Sequence, residues 1–159
     1  MQEKNETPLS YQAALLKAEA YCAYQERSQY EVRGKLITLG IRGLELENII
    51  IELIENNYLN EERFALAYAQ GKLRIKSWGR NKISQGLKFK QVSGPLIKKA
   101  LKSLDQDEYL EILKSLIEKK RPTIKEKKDY QITYKLGQYA ISRGFESDLV
   151  FFLLKTNDL

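Results

Sequence analysis

The chain has 159 residues, 43% of them hydrophobic, and a formal charge of +6, so it can bury a core and is not expected to be mainly disordered. It contains no histidine and a single cysteine, Cys22, which disfavours metal-dependent hydrolysis, Ser-His catalysis and thiolate metal sites and excludes an internal disulfide. We therefore expect no cofactor, no metal and no enzymatic activity, and we expect Cys22 to be a small buried hydrophobe.

Neither a membrane span nor a secretory signal is expected. No stretch approaches the roughly 20 apolar residues that cross a bilayer. The start of the chain, MQEKNETPLS, lacks the basic and then apolar order of a signal peptide. The sequence therefore indicates a cytoplasmic protein without a membrane partner.

The apolar pattern predicts short helices throughout. Only three prolines and nine glycines occur, apolar residues recur at helical spacing, and no segment reads as a strand. Residues 1–9 are expected to be frayed, with Thr7 or Ser10 capping a first helix. The apolar positions of this helix are Ala14, Leu15, Ala18, Tyr21 and Cys22.

Two further helices complete a first repeat, residues 10–58. Val32, Leu36 and Leu39 mark the second helix, which Gly40 can end in a left-handed conformation. The third helix is acidic on its outer face, and its expected buried stripe is Leu46, Ile49, Ile50, Leu53 and Ile54.

The same order of three helices recurs in residues 59–104. Asn60 is a good N-cap for a helix that runs to about Lys76. The residues expected to share one face of this helix are Phe64, Tyr68, Gly71 and Ile75. After a break at Trp78-Gly79, the inward residues of the fifth and sixth helices are expected to be Ile83, Leu87, Leu96, Ile97, Ala100, Leu101 and Leu104.

An internal repeat relates these segments. A shift of 51 residues places Val32 on Ile83, and five further apolar pairs align in the same way: Leu36 with Leu87, Ile41 with Val92, Leu46 with Ile97, Ile50 with Leu101 and Leu53 with Leu104. A shift of 104 residues places Gly40 on Gly144 and defines a third repeat, residues 105–155.

The third repeat opens with a helix expected from Asp107 to Lys119, whose apolar positions are Leu110, Leu113, Leu116 and Ile117. The polar run KKRPTIKEKK, residues 119–128, is expected to be a mobile connection. The predicted fold is therefore all-α: a tandem array of three three-helix, helix-turn-helix-like repeats, elongated and curved.

The second repeat carries the whole excess of positive charge. From Arg63 to Leu104, here called the acid-free stretch, there are eleven basic residues and no acidic one, whereas residues 1–62 have six basic and eleven acidic residues. A need for solubility does not explain why all of these charges have one sign, because mixed charges would serve it with less repulsion. We therefore interpret the stretch as a surface that binds a polyanion. The candidate binding residues are Arg63, Lys72, Arg74, Lys76, Arg80, Lys82, Lys88, Lys90, Lys98, Lys99 and Lys102.

Other roles for these features remain open. Trp78, beside Arg80, can stack on a base, or it can pack as an anchor between repeats, which is the commoner role of a lone tryptophan at a helix junction. The basic run can also be a solvated face. A nuclease that binds Mg²⁺ would need carboxylates that more simply cap and decorate the seventh helix: Asp105, Asp107, Glu108 and Glu111.

Four motifs occur in order along the chain. They are Arg27-Ser28 with Glu31-Val32 and Lys35-Leu36, then Tyr58 to Ala65 (YLNEERFA), Trp78 to Ile83 (WGRNKI) and Arg143-Gly144-Phe145. In type, order and spacing these motifs resemble those of the RecX family, the bacterial regulatory proteins that bind the RecA recombinase. The resemblance covers roughly residues 10 to 155 and includes the three-repeat plan.

The resemblance implies a function in DNA recombination, DNA repair and the SOS response. Proteins of this family lie along the groove of the RecA filament on single-stranded DNA and generally restrain strand exchange and ATP hydrolysis. The implied partners are therefore that filament and its DNA, and we expect a monomer. Two residues depart from the family pattern: Gln91 replaces a glycine and is expected to alter the turn after the fifth helix, and Gly86 replaces a commonly acidic residue.

The alternative function is a stand-alone helix-turn-helix-like DNA-binding protein. The fourth to sixth helices would form a trihelical unit of the kind that reads duplex DNA. Against this, the Asn, Gln and Arg residues that contact base edges do not cluster on one recognition helix.

Overall fold

The computed structural model of the chain describes Thr7 and residues 9–156, so most of the N-terminus expected to be frayed lies outside the described residues. Within them the chain forms α-helices and one short 3-10 helix, Arg121–Thr123, without a strand. None of these helices is long and apolar enough to span a bilayer. The α-helices are α1 (Tyr11–Tyr24), α2 (Gln29–Thr38), α3 (Gly43–Glu55), α4 (Glu61–Lys76), α5 (Arg80–Phe89), α6 (Gly94–Lys102), α7 (Gln106–Lys120), α8 (Asp129–Ser142) and α9 (Ser147–Lys155).

The helices follow one another in three sets of three, which confirms the all-α repeat arrangement. The turn after the second helix of each set has a left-handed residue, with φ of 85° at Gly40, 59° at Gln91 and 96° at Gly144. A buried apolar residue follows each time: Ile41, Val92 and Phe145. The expectation that Gln91 alters this turn is therefore wrong, since the glutamine adopts the left-handed backbone that glycine has in the other two sets.

Capping side chains mark the predicted helix starts. The Ser10 hydroxyl, one of the two predicted caps of α1, accepts a hydrogen bond from the backbone amide three residues on, at 3.3 Å. Asn60 Oδ1 accepts from the Arg63 amide at 2.9 Å, and Asp105 Oδ1 accepts from the Glu108 amide at 2.8 Å. Each oxygen satisfies a donor that the first helical turn leaves without a partner.

The chain divides into two compact units. The first unit is the chain up to Phe64 together with Lys90–Val92. Its core is formed by α1, α2, α3, the turn between α2 and α3, and the segment that leads to α4. The buried residues are Ala14, Leu15, Ala18, Cys22, Val32, Leu36, Ile41, Leu46, Ile49, Ile50, Leu53 and Leu59. Most of the predicted apolar positions and the buried Cys22 are confirmed, but Tyr21 and Leu39 are half-buried and Ile54 is exposed.

The second unit comprises Ala65–Phe89 and Ser93–Leu159. The Tyr109 and Phe145 rings lie at its centre, with centroids 5.1 Å apart and planes inclined by 52°. Other buried side chains of this unit include Ala69, Leu73, Ile83, Leu87, Leu113, Ile117, Leu136, Ala140, Val150 and Leu153.

Two glycines allow close backbone packing inside the second unit. The Gly79 amide donates to the Arg143 carbonyl at 2.9 Å, and the Asn81 amide donates to the Gly144 carbonyl at 2.9 Å. A Cβ on Gly79 would collide with the Gly144 backbone, and a Cβ on Gly144 would collide with Lys82. The segment between α4 and α5 therefore docks directly on the turn between α8 and α9.

The inward face predicted for α4 is partly wrong. Phe64 is buried as expected, but Ile75 is 80% exposed. The buried stripe consists instead of Ala65, Ala69 and Leu73. Small side chains on this stripe let neighbouring helices approach α4 closely.

The seventh helix extends one residue beyond its predicted range at each end. It runs from Gln106 to Lys120, so the first residues of the run expected to be a mobile connection are helical. Tyr109, which was not among the predicted apolar positions, is fully buried, while Leu110 and Leu116 are half-buried.

Candidate nucleic-acid interface

The acid-free stretch runs through α4, α5 and α6. Arg63 and Lys90 fall in the first compact unit, and the other candidate residues fall in the second. These residues lie on α4 (Lys72, Arg74 and Lys76), on α5 (Arg80, Lys82 and Lys88) and on α6 (Lys98, Lys99 and Lys102).

Both candidate residues in the first unit, Arg63 and Lys90, have carboxylate partners. Arg63 Nε donates to Glu26 Oε1 at 2.5 Å, and its terminal nitrogen donates to the Asn57 carbonyl at 2.9 Å. Lys90 Nζ lies 3.9 Å from a Glu31 carboxylate oxygen. These neighbours offset part of the positive charge that the two side chains would offer to a phosphate.

Arg74 forms a bidentate pair with Glu108. Its Nε and one terminal nitrogen donate to the two carboxylate oxygens at 2.5 and 3.1 Å. The hydrogen bonds from Arg74 hold the pKa of the Glu108 carboxyl below its usual value. This pair, on the surface, fixes the guanidinium between α4 and α7.

Arg80 belongs to a cluster that joins α5, α7 and the start of α9. Its terminal nitrogens donate to Glu146 and Gln106, each at 2.9 Å, and its guanidinium lies 3.9 Å from the centre of the Tyr109 ring. The Tyr109 hydroxyl donates to Glu146 and accepts from the Arg80 amide at 3.0 Å. Burial and the hydrogen bond to Glu146 raise the pKa of Tyr109.

Three other residues form what we call the lysine-tryptophan cluster: Lys72, Trp78 and Lys82. After α4 the backbone turns at Ser77, whose φ is 53°, and the Trp78 amide donates to the Lys72 carbonyl at 3.1 Å. Lys72 Nζ and Lys82 Nζ each lie 4.8 Å from the indole centroid. Because the face of the indole is electron-rich, it attracts both ammonium groups and holds them next to the ring.

A shallow groove of about 190 Å³ adjoins this cluster on α4. Its lining consists of Ala67, Tyr68, Gly71, Lys72, Ile75 and Lys76. Lys72 Nζ also lies 5.4 Å from the centroid of the Tyr68 ring, so this ammonium group lies near both Tyr68 and Trp78. One face of α4 thus presents two lysines, an aromatic ring and the exposed Ile75.

Several lysines of the acid-free stretch point into solvent. Lys76, Lys88, Lys98 and Lys102 are exposed, and they form no ion pair with any residue that the structure describes. Lys99 is also exposed on α6. With the lysine-tryptophan cluster, they leave the second unit rich in accessible ammonium groups.

The described part of the chain contains no group of three or more His, Cys, Asp or Glu side chains that could hold a metal ion. Two of the carboxylates considered for Mg²⁺ have other contacts. Asp105 caps α7, and Glu108 binds Arg74.

The sequence indicated Lys72, Trp78 and Lys82 separately, and the structure brings them together. The sequence did not indicate the carboxylate partners of Arg74 and Arg80. Glu108 lies 34 residues from Arg74, and Glu146 lies 66 residues from Arg80. Helical periodicity carries no information over such separations.

Comparison with known proteins gives consistent matches. Residues 60–101 match the second three-helix domain of RecX, and residues 106–154 match the third three-helix domain of RecX. The chain is 39% identical over 98 residues to the regulatory protein RecX of Lactobacillus johnsonii, which covers 62% of this chain and 36% of that protein. It is 32% identical over 124 residues to the regulatory protein RecX of Clostridium perfringens, which covers 77% of this chain and 58% of that protein.

The chain spans about half the length of the relatives it matches. Among solved structures it is similar to RecX from Lactobacillus salivarius, with a TM-score of 0.83 and 23% identity, over 93% of this chain and 96% of that one. At this identity the likeness shows a shared fold.

Proposed function

The chain belongs to the RecX family of regulatory proteins, and we propose that it binds the RecA filament on single-stranded DNA and inhibits the recombinase. It would act as a cytoplasmic monomer, without a cofactor and without catalysis of its own. The proposal is supported by the family and by the accessible positive charge of the acid-free stretch.

The lysine-tryptophan cluster is the observation that carries the DNA part of this proposal. Two ammonium groups held 4.8 Å from one indole provide charge for the phosphates of a single strand and an aromatic ring beside that charge. Trp78 is only half-buried, so part of its ring remains accessible to a base. The packing role of Trp78 is compatible with this, because a half-buried ring can pack on one side and remain accessible on the other.

The candidate residues are expected to contribute unequally. The lysine-tryptophan cluster and the exposed Lys76, Lys88, Lys98 and Lys102 would carry most of the phosphate contacts. Arg63, Arg74, Arg80 and Lys90 are already opposed by carboxylates, so they would mainly hold the helices in place.

The test is filament binding at a series of salt concentrations. Each phosphate contact with a single strand lowers the slope of log affinity against log salt by about 0.7, so four contacts predict a slope near −3. Lys72→Glu with Lys82→Glu should weaken binding and make the slope less steep by about 1.4. The matched control is Lys17→Glu with Lys155→Glu, which makes the same change in net charge at exposed positions outside the acid-free stretch.

Comparison of the two double variants shows whether binding depends on a local site or only on the net charge of the chain. Equal losses in both double variants would show that net charge alone drives binding, and a slope near zero would remove DNA contacts from the proposal. A stand-alone reader of duplex DNA predicts instead that selection from a random pool enriches a defined sequence. An unenriched pool excludes that alternative.

A further inference from the structure

A second basic and aromatic surface lies in the third set of helices, outside the acid-free stretch. Residues 119–128, which lead from the end of α7 to α8, contain six basic residues and one acidic residue. Just inside α8, Tyr130 and Tyr134 are 67% and 61% exposed. Two neighbouring exposed aromatic side chains form a patch, and such patches mark interaction sites, whereas a single exposed ring is ordinary on a protein surface.

The two tyrosines share a groove of about 420 Å³, lined by Glu126, Tyr130, Gln131, Tyr134 and Lys135. A groove of about 230 Å³ lies next to it and is lined by Lys120, Thr123, Ile124, Lys125, Glu126 and Lys135. Glu126 and Lys135 line both grooves and form an ion pair. The single acidic side chain of residues 119–128 is thereby opposed by a lysine of α8, and the surface remains positive.

The spacing of the two rings suits stacked bases. Tyr130 and Tyr134 are one helical turn apart, which places their Cβ atoms about 5–6 Å from each other. Successive bases of an unpaired strand can stack on neighbouring aromatic rings, and every base has a face to offer. Lys128 Nζ lies 5.9 Å from the Tyr130 ring, so a positive charge stands beside the stacking position.

We propose that Tyr130 and Tyr134, with the lysines of residues 119–128, form a second binding surface for single-stranded nucleic acid. The bases stack on the tyrosines, and the phosphates lie along the basic connection. A duplex fits less well, because its bases already stack on one another and offer the rings no free face. The surface is separate from the lysine-tryptophan cluster, and its binding requires no recombinase.

The experiment measures the anisotropy of a labelled oligothymidine of about 20 nucleotides with the full chain at low salt, in the absence of a recombinase. It is done in the Lys72→Glu, Lys82→Glu background, which reduces the contribution of the first surface. Tyr130→Ala with Tyr134→Ala should raise the Kd at least about tenfold, because two stacked bases are lost. Tyr130→Phe with Tyr134→Phe keeps both rings and should stay within about twofold of the background.

The control variant is Tyr24→Ala, which removes a tyrosine that is 83% exposed on α1 and should leave the Kd unchanged. Circular dichroism checks that each variant keeps its helix content. The proposal is overturned if the alanine pair binds as tightly as its background, if the phenylalanine pair loses as much as the alanine pair, or if a duplex of equal length competes as well as the single strand.

The same titration distinguishes this inference from the proposed function. If the Lys72→Glu, Lys82→Glu background binds no oligothymidine, the second surface does not exist as an independent site, and the filament proposal is unaffected. If the background binds and depends on the tyrosines, the second surface stands whatever the recombinase assay shows.

Discussion

Gly144→Ala should destabilise the second compact unit by several kilocalories per mole. Gly144 has a φ of 96°, and a side chain in left-handed backbone costs about 1–2 kcal/mol. The added Cβ would collide with Lys82 and with the carbonyl of Gly79, so the Gly79–Arg143 and Asn81–Gly144 hydrogen bonds must lengthen. Losing one or both of these bonds adds about 0.5–1.5 kcal/mol each, and forcing the packed backbones apart brings the total to about 3–5 kcal/mol.

The assay is urea unfolding followed by tryptophan emission. Trp78 is the only tryptophan and lies in the same unit, next to Gly79, so its emission reports on this contact. The midpoint should fall by at least about 1 M. The matched control is Gly71→Ala, the same change in α4, where a Cβ meets nothing within 4 Å and should stabilise the helix by about 0.5–1 kcal/mol. Effects of equal size and sign for the two alanines would refute the role of the Gly79–Gly144 contact.

Three further predictions concern single side chains. Gln91→Gly should raise the free energy of unfolding by about 0.5–1 kcal/mol in a urea titration, because glycine relieves the strain of a φ of 59°; a loss of stability would contradict this. Tyr109→Phe should lower it by about 1–3 kcal/mol, since Glu146 and the Arg80 amide lose a partner, and an unchanged midpoint would show that the hydroxyl is dispensable. Burial raises the pKa of Cys22 to about 11, so at pH 8 its thiol should react with a disulfide reagent at least about a hundredfold more slowly in the folded protein than in denaturant, and equal rates would be inconsistent with burial. The pKa of the Cys22 thiol is higher in the folded protein than in the unfolded chain, where it is about 8.5. The protonated thiol therefore contributes its full stability below about pH 8.5, and this contribution is lost as the pH rises towards 11.

Much of the fold could be predicted because it depends on local signals. The 51-residue shift places Val32 on Ile83, and both are fully buried at the start of the second helix of their sets. Ser10 and Asn60 cap the helices that they precede in sequence. Caps and helical periodicity are properties of neighbouring residues, so they can be read without knowledge of what packs against them.

The face of α4 could not be chosen correctly from its pattern. Phe64, Tyr68 and Ile75 have helical spacing, but so do Ala65, Ala69 and Leu73, which form a neighbouring stripe of the helix. The larger side chains favoured the first set, whereas the structure buries the alanines at 1% exposure or less. Which stripe is buried depends on how closely the neighbouring helices approach, and that distance is set by tertiary packing.

The candidate site was predictable in composition but not in arrangement. The absence of acidic residues from Arg63 to Leu104 is visible in the sequence, and the sharp end of α4 that turns Trp78 back towards Lys72 was indicated only by the Trp78-Gly79 break. The ion pairs of Arg74 and Arg80 join residues far apart in the chain. Charge patterning therefore identified the basic helices, whereas the division between paired arginines and accessible lysines required the structure.

The most direct measurement is ATP hydrolysis by the RecA recombinase on single-stranded DNA, with and without this protein. The wild-type chain at substoichiometric amounts should slow hydrolysis. Lys72→Glu with Lys82→Glu should lose that inhibition at the same helix content, while Lys17→Glu with Lys155→Glu should retain it. A hydrolysis rate that the wild-type chain does not change would contradict the proposed function, and inhibition by the cluster variant equal to that of wild type would contradict the assigned surface.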